Sequence, residues 1–345
     1  RPHQDAAIAD VFAGWAGGHD RGQLIMACGT GKTFTALKIA ERIAAESDHP
    51  ATVLFLVPSI ALLSQSLAEW TAESETPLAC FAVCSDPKST AEARKLEDVS
   101  THDLPLAAST DPRKLLKGLA AATAPLRVIF STYQSIDVIA EACALSAGRA
   151  TDDPTLPATV DDLLGVLDAF DLIVCDEAHR TTGVTLAGAD ESHFLKVHDN
   201  TLLPSARRLY MTATPKLFAD DTKAKAKDSA AVLASMDDES LFGPEFHRLG
   251  FGQAVNAGLL ADYRVLILTV DEQFVAENFQ SMLADDNNEL TLDDAARIVG
   301  CWNGLAKRSV VGGFAPGEAP MRRAVAFTHT IKQSEALAEK FADIT

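Results

Sequence analysis

An apolar run, Gly22–Ala27 (GQLIMA), leads directly into Cys28-Gly-Thr-Gly-Lys-Thr33, and a helical pattern runs from Thr33 to about Ala45. Buried strand, glycine-rich loop and helix, in that order, suit few folds, because such a loop sits at the carboxyl edge of a parallel sheet. Gly29 and Gly31 let the backbone curl until successive N–H groups face one anion. The start of the helix adds its positive end. In that setting Lys32 reaches the outer phosphates of a nucleoside triphosphate, and the Thr33 hydroxyl is a ligand for Mg²⁺. The strict phosphate-loop pattern has Gly where Met26 stands, so this is a variant of it.

The same alternation continues along the chain. Thr52–Val57 is a second apolar strand stopped by Pro58, and Ile60–Thr71 has amphipathic helical spacing. Leu78–Val83, Arg127–Ser131, Phe170–Cys175 and Arg208–Met211 are further strands, with a helix after Ser131 that runs through Ala144. Continuous apolar strands separated by helices predict a parallel sheet covered on both faces, an α/β doubly wound core. The first domain is expected over 1–262, with insertions near 85–125 and 146–166. Residues 216–240 are polar and expected to be mobile. Residues 263–345 are expected to hold a linker and the start of a second domain: a strand at Arg264–Val270, an acidic stretch at 271–294, then strand Arg323–Thr328 and helix Lys332–Phe341.

Phe170–Cys175 runs straight into Asp176-Glu177-Ala178-His179. Carboxylates at the exit of a parallel strand lie on the edge where such sheets bind ligands. Asp176 suits a Mg²⁺ ligand and Glu177 suits the orientation of an attacking water. That division of labour fits in-line phosphoryl transfer.

Composition sets limits on this picture. The chain carries 48 Asp and Glu against 30 Lys and Arg, a net charge of −18. A protein gripping a phosphate backbone usually shows a basic footprint. The acid is therefore expected on faces away from any groove, or the basic parts lie elsewhere in a longer protein. A start at Arg1 without Met is taken as the mark of an excised piece. No apolar run reaches the roughly 18 residues of a membrane span. The six cysteines form no CxxC pair and read as reduced cytosolic thiols. Trp15, Trp70 and Trp302 read as packing residues, since no basic residues interleave with them.

CGTGKT at 28–33, DEAH at 176–179 and Thr212-Ala213-Thr214 occur in the order found in superfamily 2 (DEAD/DEAH-like) helicases and translocases, and resemble their motifs. The resemblance implies a RecA-like P-loop NTPase with the beginning of a second RecA-like domain, using ATP and Mg²⁺ and acting on DNA. It assigns catalysis to Lys32, Asp176, Glu177 and His179. The nucleotide falls to Cys28, Gly29, Thr30, Gly31, Lys32 and Thr33, and the metal to Thr33 and Asp176. Arg1-Pro2-His3-Gln4 resembles the family's adenine-reading segment, with Gln4 as the contact. Leu56–Ser59 and Phe130–Gln134 resemble motifs Ia and Ib, which implies backbone contacts from Pro58, Ser59, Ser131 and Thr132. Strand-end or helix capping accounts for those hydroxyls equally well. Thr212 and Thr214 resemble motif III, whose hydroxyls can bond His179, and Thr328 lies in a segment resembling motif IV.

More narrowly, DEAHRTTG (176–183), RLYMTATP (208–215) and the stretch 242–268 resemble the helicase portion of type ISP restriction–modification enzymes. This implies a cytoplasmic motor on duplex DNA, joined in one chain to nuclease and methyltransferase parts. The arginine finger would come from the rest of the second RecA-like domain, so weak or no turnover is implied for this piece alone. An RNA or DNA-repair helicase, or a nucleotide-binding scaffold without hydrolysis, is the competing reading.

Overall fold

The computed structural model describes residues 1–84, 108–149, 161–185, 193–219, 232–263, 292–307, 319–328 and 330–344. Its strands are β1 (Arg21–Met26), β2 (Ala51–Val57), β3 (Leu78–Val83), β4 (Leu126–Thr132), β5 (Leu172–Cys175), β6 (Gly183–Thr185), β7 (Arg208–Thr212), β8 (Val232–Ala234) and β9 (Glu245–Leu249). β6 and β8 form an antiparallel pair. The other seven form one sheet in the order β3-β4-β2-β5-β7-β1-β9, with every pairing parallel. Among the described residues, the helices of the first unit are α1 (Pro2–Ala16), α2 (Lys32–Glu46), α3 (Ile60–Glu73), α4 (Pro112–Ala121), α5 (Ile136–Ser146), α6 (Glu239–Phe242) and α7 (Phe251–Asn256).

The central strands are apolar at every position because they serve two cores. Side chains alternate faces along a strand. Val53, Phe55 and Val57 of β2, Val128 and Phe130 of β4, and Leu209 and Met211 of β7 join one cluster with residues of α1, α2 and α3. Leu54, Leu56, Ile129, Ile173 and Tyr210 point to the other, with residues of α4 and α5. Each fully buried Val, Leu or Ile contributes roughly 1.5–3 kcal/mol. Trp70 is fully buried against Phe55 and Phe130, with ring centroids 5.1 and 5.6 Å away.

Several expectations need correction. Residues 112–121 are no insertion but a helix that covers the sheet. Asp111 caps it through the N–H groups of Arg113 and Lys114, and Leu115, Leu116 and Leu119 are buried. Within 146–166, Leu163 likewise joins the core. Residues 216–240 include β8, buried Met236 and the start of α6. Besides α4, the strand-and-helix reading does not contain α1, α6, α7, β6, β8 or β9. β9 is polar because it is an edge strand, paired on one side only.

The second unit, Asp262–Thr345, contains α8 (Leu292–Leu305) and α9 (Ile331–Ile344), with Trp302 and Phe341 6.4 Å apart. Arg323–Thr328 is not a strand. It forms no ladder, and Val325 and Phe327 are 78% and 92% exposed. A strand needs a neighbouring edge to satisfy its backbone, and no described residue offers one here. The strand expected at Arg264–Val270 and most of the acidic stretch lie outside the described residues.

One buried carboxylate ties α2 to the turn before β3. Glu41 Oε1 accepts from the backbone N–H groups of Glu75 (2.6 Å) and Thr76 (2.9 Å) and from the Ser74 hydroxyl (3.0 Å). Lys38 Nζ lies 2.8 Å from its other oxygen. Burial pushes the Glu41 pKa up. The Lys38 ammonium and these donors outweigh it and hold the carboxyl below the ordinary glutamate range. A depressed folded-state pKa stabilises the fold above the unfolded value of about 4.3, and that contribution is lost as pH falls through the folded value. Thermal melts are therefore expected to show Tm falling below about pH 4.3, with Glu41→Gln flattening that part of the profile and lowering Tm at pH 7.

Candidate functional site

β1 ends at Met26 and the chain turns through Ala27–Gly31. The Thr30 hydroxyl donates to the Ala27 carbonyl at 2.7 Å and is buried, so it stiffens the loop from within. Gly29 and Gly31 have φ of +80° and +90°. A Cβ on Gly31 would lie 2.4 Å from Gln4 Nε2. α2 then begins at Lys32 with no side chain capping its first turn. Uncapped N–H groups at the start of a four-turn helix, behind a curled glycine loop, make a cradle for an anion. Lys32 Nζ donates to the Met26 carbonyl at 3.2 Å, which keeps the ammonium over the loop. Cys28 is exposed on the same turn.

α1 is latched onto this loop. Gln4 Nε2 donates to the Gly31 carbonyl (3.3 Å), and His3 Nε2 lies 2.9 Å from the Thr30 carbonyl. Gln4 is 6% exposed, so its amide serves the loop itself in this conformation. On the far side, the Trp70 indole N–H donates to the Thr33 carbonyl at 3.1 Å. His3 stands inside the Arg1–Gln4 segment, whose expected contact was Gln4 alone, and nothing in the sequence around Trp70 points to this loop.

β5 and β1 have β7 between them and run parallel, so Cys175 and Met26 leave the sheet at the same edge. Asp176 follows, 7% exposed, with its backbone N–H donating to the Leu56 carbonyl at 2.9 Å. Burial, and then the neighbouring Glu177 carboxylate, push the Asp176 pKa up to about 6; the Glu177 N–H and the Lys32 ammonium pull the other way. A buried carboxylate with this balance favours a cation beside it. No group of three or more His, Cys, Asp or Glu residues among those described could enclose a metal. Asp176 with the Thr33 hydroxyl still fits Mg²⁺, which uses one or two protein ligands and takes the rest from water and phosphate.

Glu177 adopts φ 49°, ψ 46°, a left-handed conformation that is rare for residues other than glycine. Strain of this kind persists where surrounding contacts impose it. The turn swings the Glu177 side chain to His179, whose Nδ1 is 3.3 Å from Glu177 Oε2 and 3.0 Å from the Thr212 hydroxyl. Burial lowers the His179 pKa against the pull of Glu177 and so favours the neutral ring. Its single N–H can then serve one acceptor at a time. Thr212 also accepts from the Thr214 N–H at 3.1 Å, so the end of β7 is tied to the turn after β5.

The remaining predicted residues behave differently. Ser59 accepts from the Leu62 N–H and caps α3. Ser131 is fully buried and donates to the Thr132 carbonyl (3.1 Å), which leaves no route to an external phosphate in this conformation. Thr132 donates to the Ser135 hydroxyl (3.2 Å). The Pro58 carbonyl accepts from Gln134 Nε2 (3.3 Å). Thr328 lies in the second unit and donates to the Thr330 carbonyl (3.0 Å).

Residues 1–217 match the family described as "Type III restriction enzyme, res subunit" (ResIII). The chain belongs to that family. As a ResIII domain it is helicase-like, of the superfamily 2 kind. Two solved structures are similar over all of it. The ATP-dependent Type ISP restriction-modification enzyme LlaBIII bound to DNA is 40% identical, with a TM-score of 0.77. A nuclease-deletion mutant of the Type ISP restriction-modification enzyme LlaGI, in complex with a DNA substrate mimic, is 34% identical, with a TM-score of 0.63. The chain spans 21% of the length of each of those two proteins. No curated protein matches it. Among the described residues, no helix is long and apolar enough to cross a membrane.

Proposed function

We propose that this ResIII domain is the ATP-binding element of a DNA translocase or helicase motor within a larger restriction–modification enzyme. One observation carries the reading: Gly29–Thr33 and Asp176–Glu177 share the carboxyl edge of one parallel sheet. Lys32 and the loop N–H groups bind the phosphates. Thr33 and Asp176 hold Mg²⁺, which neutralises phosphate charge. Glu177 orients the attacking water, and His179 with Thr212 links that turn to the neighbouring strand end. Adenine would engage Gln4 in place of its bond to Gly31. A second RecA-like domain would supply the other half of the composite site. DNA as the partner is supported by the LlaBIII and LlaGI structures, both described as containing DNA or a mimic of it.

ATP turnover by the full-length protein, measured with and without duplex DNA, tests this. Turnover is expected to rise with duplex DNA and to stop on chelation of divalent cations. Equal turnover with and without DNA would count against a motor, and stronger stimulation by RNA would favour an RNA helicase.

A further inference from the structure

Two neighbouring residues of one short turn, Tyr133–Ser135, tie three strand ends together. Gln134 Nε2 donates to the Pro58 carbonyl, at the end of β2. Tyr133 reaches further. Its hydroxyl donates at 2.8 Å to the carbonyl of Asp176, at the end of β5, although β2 separates β4 from β5 in the sheet. The ring is fully buried and lies 5.1 Å from Phe194, so it is held in place by packing. The Asp176 carbonyl it holds belongs to the peptide that leads into Glu177, the residue in the left-handed conformation. A buried carbonyl deprived of its donor is costly, and a turn with one anchor fewer relaxes towards unstrained dihedral angles.

We infer that Tyr133 is a positioning residue: its hydroxyl holds the Asp176–Glu177 turn in the geometry that hydrolysis requires and connects it to the end of β4. This rests on the ATPase reading above. Force on the Thr132–Ser135 turn would reach the acid pair through one rigid ring, with no intervening flexible side chain. Tyr133 touches neither the phosphate loop nor Lys32 by any hydrogen bond described, so nucleotide affinity should be indifferent to it.

The test is Tyr133→Phe in the full-length protein, with ATP turnover expressed per nucleotide-binding site counted by titration with a fluorescent ATP analogue and Mg²⁺. Counting sites removes any contribution from protein that failed to fold. Expected are unchanged analogue affinity, a fall in kcat of about five- to tenfold at saturating DNA and ATP, and a smaller ratio of DNA-stimulated to basal turnover. Wild-type kcat per site in the variant would overturn the inference while leaving the ATPase reading intact. Loss of all nucleotide binding would also overturn it, by making Tyr133 a folding residue. No ATP turnover in the wild-type protein would remove the ATPase reading and this inference with it.

Discussion

Glu177→Gln is expected to bind Mg²⁺ and ATP about as tightly as the natural protein while losing roughly 10²–10⁴-fold of its turnover. The amide matches the carboxylate in size, so it can keep the left-handed turn and the approach to His179 Nδ1. It cannot accept a proton from water. The substitution has a second consequence at Asp176. The Glu177 charge is, after burial, the main influence pushing that carboxyl up to about 6. Without it, Asp176 ionises more readily, so metal affinity should hold or improve. Equilibrium titration with a fluorescent ATP analogue, beside single-turnover hydrolysis in the full-length protein, separates the two effects. Turnover within a few-fold of wild type would remove Glu177 from its assigned role. Lost binding would make it part of the nucleotide cradle.

The largest stability effect is expected at Gly243, well away from the phosphate loop. Its φ of 69° and ψ of 175° fall in a region open essentially to glycine alone. A Cβ there would lie 2.1 Å from the Arg21 carbonyl oxygen and 2.8 Å from the Gly22 nitrogen, both backbone atoms that cannot swing aside. The Gly243 carbonyl also accepts from buried Gln23 Nε2 at 2.9 Å. Gly243→Ala therefore combines backbone strain with displacement of the start of β1. We expect a loss of about 3 kcal/mol or more, or close to 10 °C in Tm. Gly252, where an added Cβ meets nothing within 4 Å, is the matched control. Gly252→Ala should melt within about 2 °C of wild type. Similar melts for the two variants would show that the approach of Gly243 to β1 is not rigid.

The readable parts of this protein are those in which local pattern and tertiary role coincide. β2 is apolar at every position because both faces of the sheet are covered, so its sequence announces its burial. Gly29, Gly31 and Lys32 form one contiguous string, because a phosphate cradle is built from consecutive N–H groups. α4 was also legible, from Asp111, Pro112 and the spacing of Leu115, Leu116 and Leu119, and was obscured by the polar residues around it. β9 had no such signal. Its pairing with β1 is made by backbone atoms, and its side chains stay partly exposed.

From its sequence alone the chain determined an α/β sheet with a phosphate loop on one strand exit and an acid pair on another, since strand burial, helix periodicity and loop chemistry are written in neighbouring residues. Only the tertiary structure decided that β7 separates those two exits, that His3 and Gln4 close over the loop, that Tyr133 reaches Asp176 across β2, and that Gly243 has no room for a methyl group. Each of these depends on contacts between segments far apart in the chain, and their geometry is set by how the whole sheet stacks its helices.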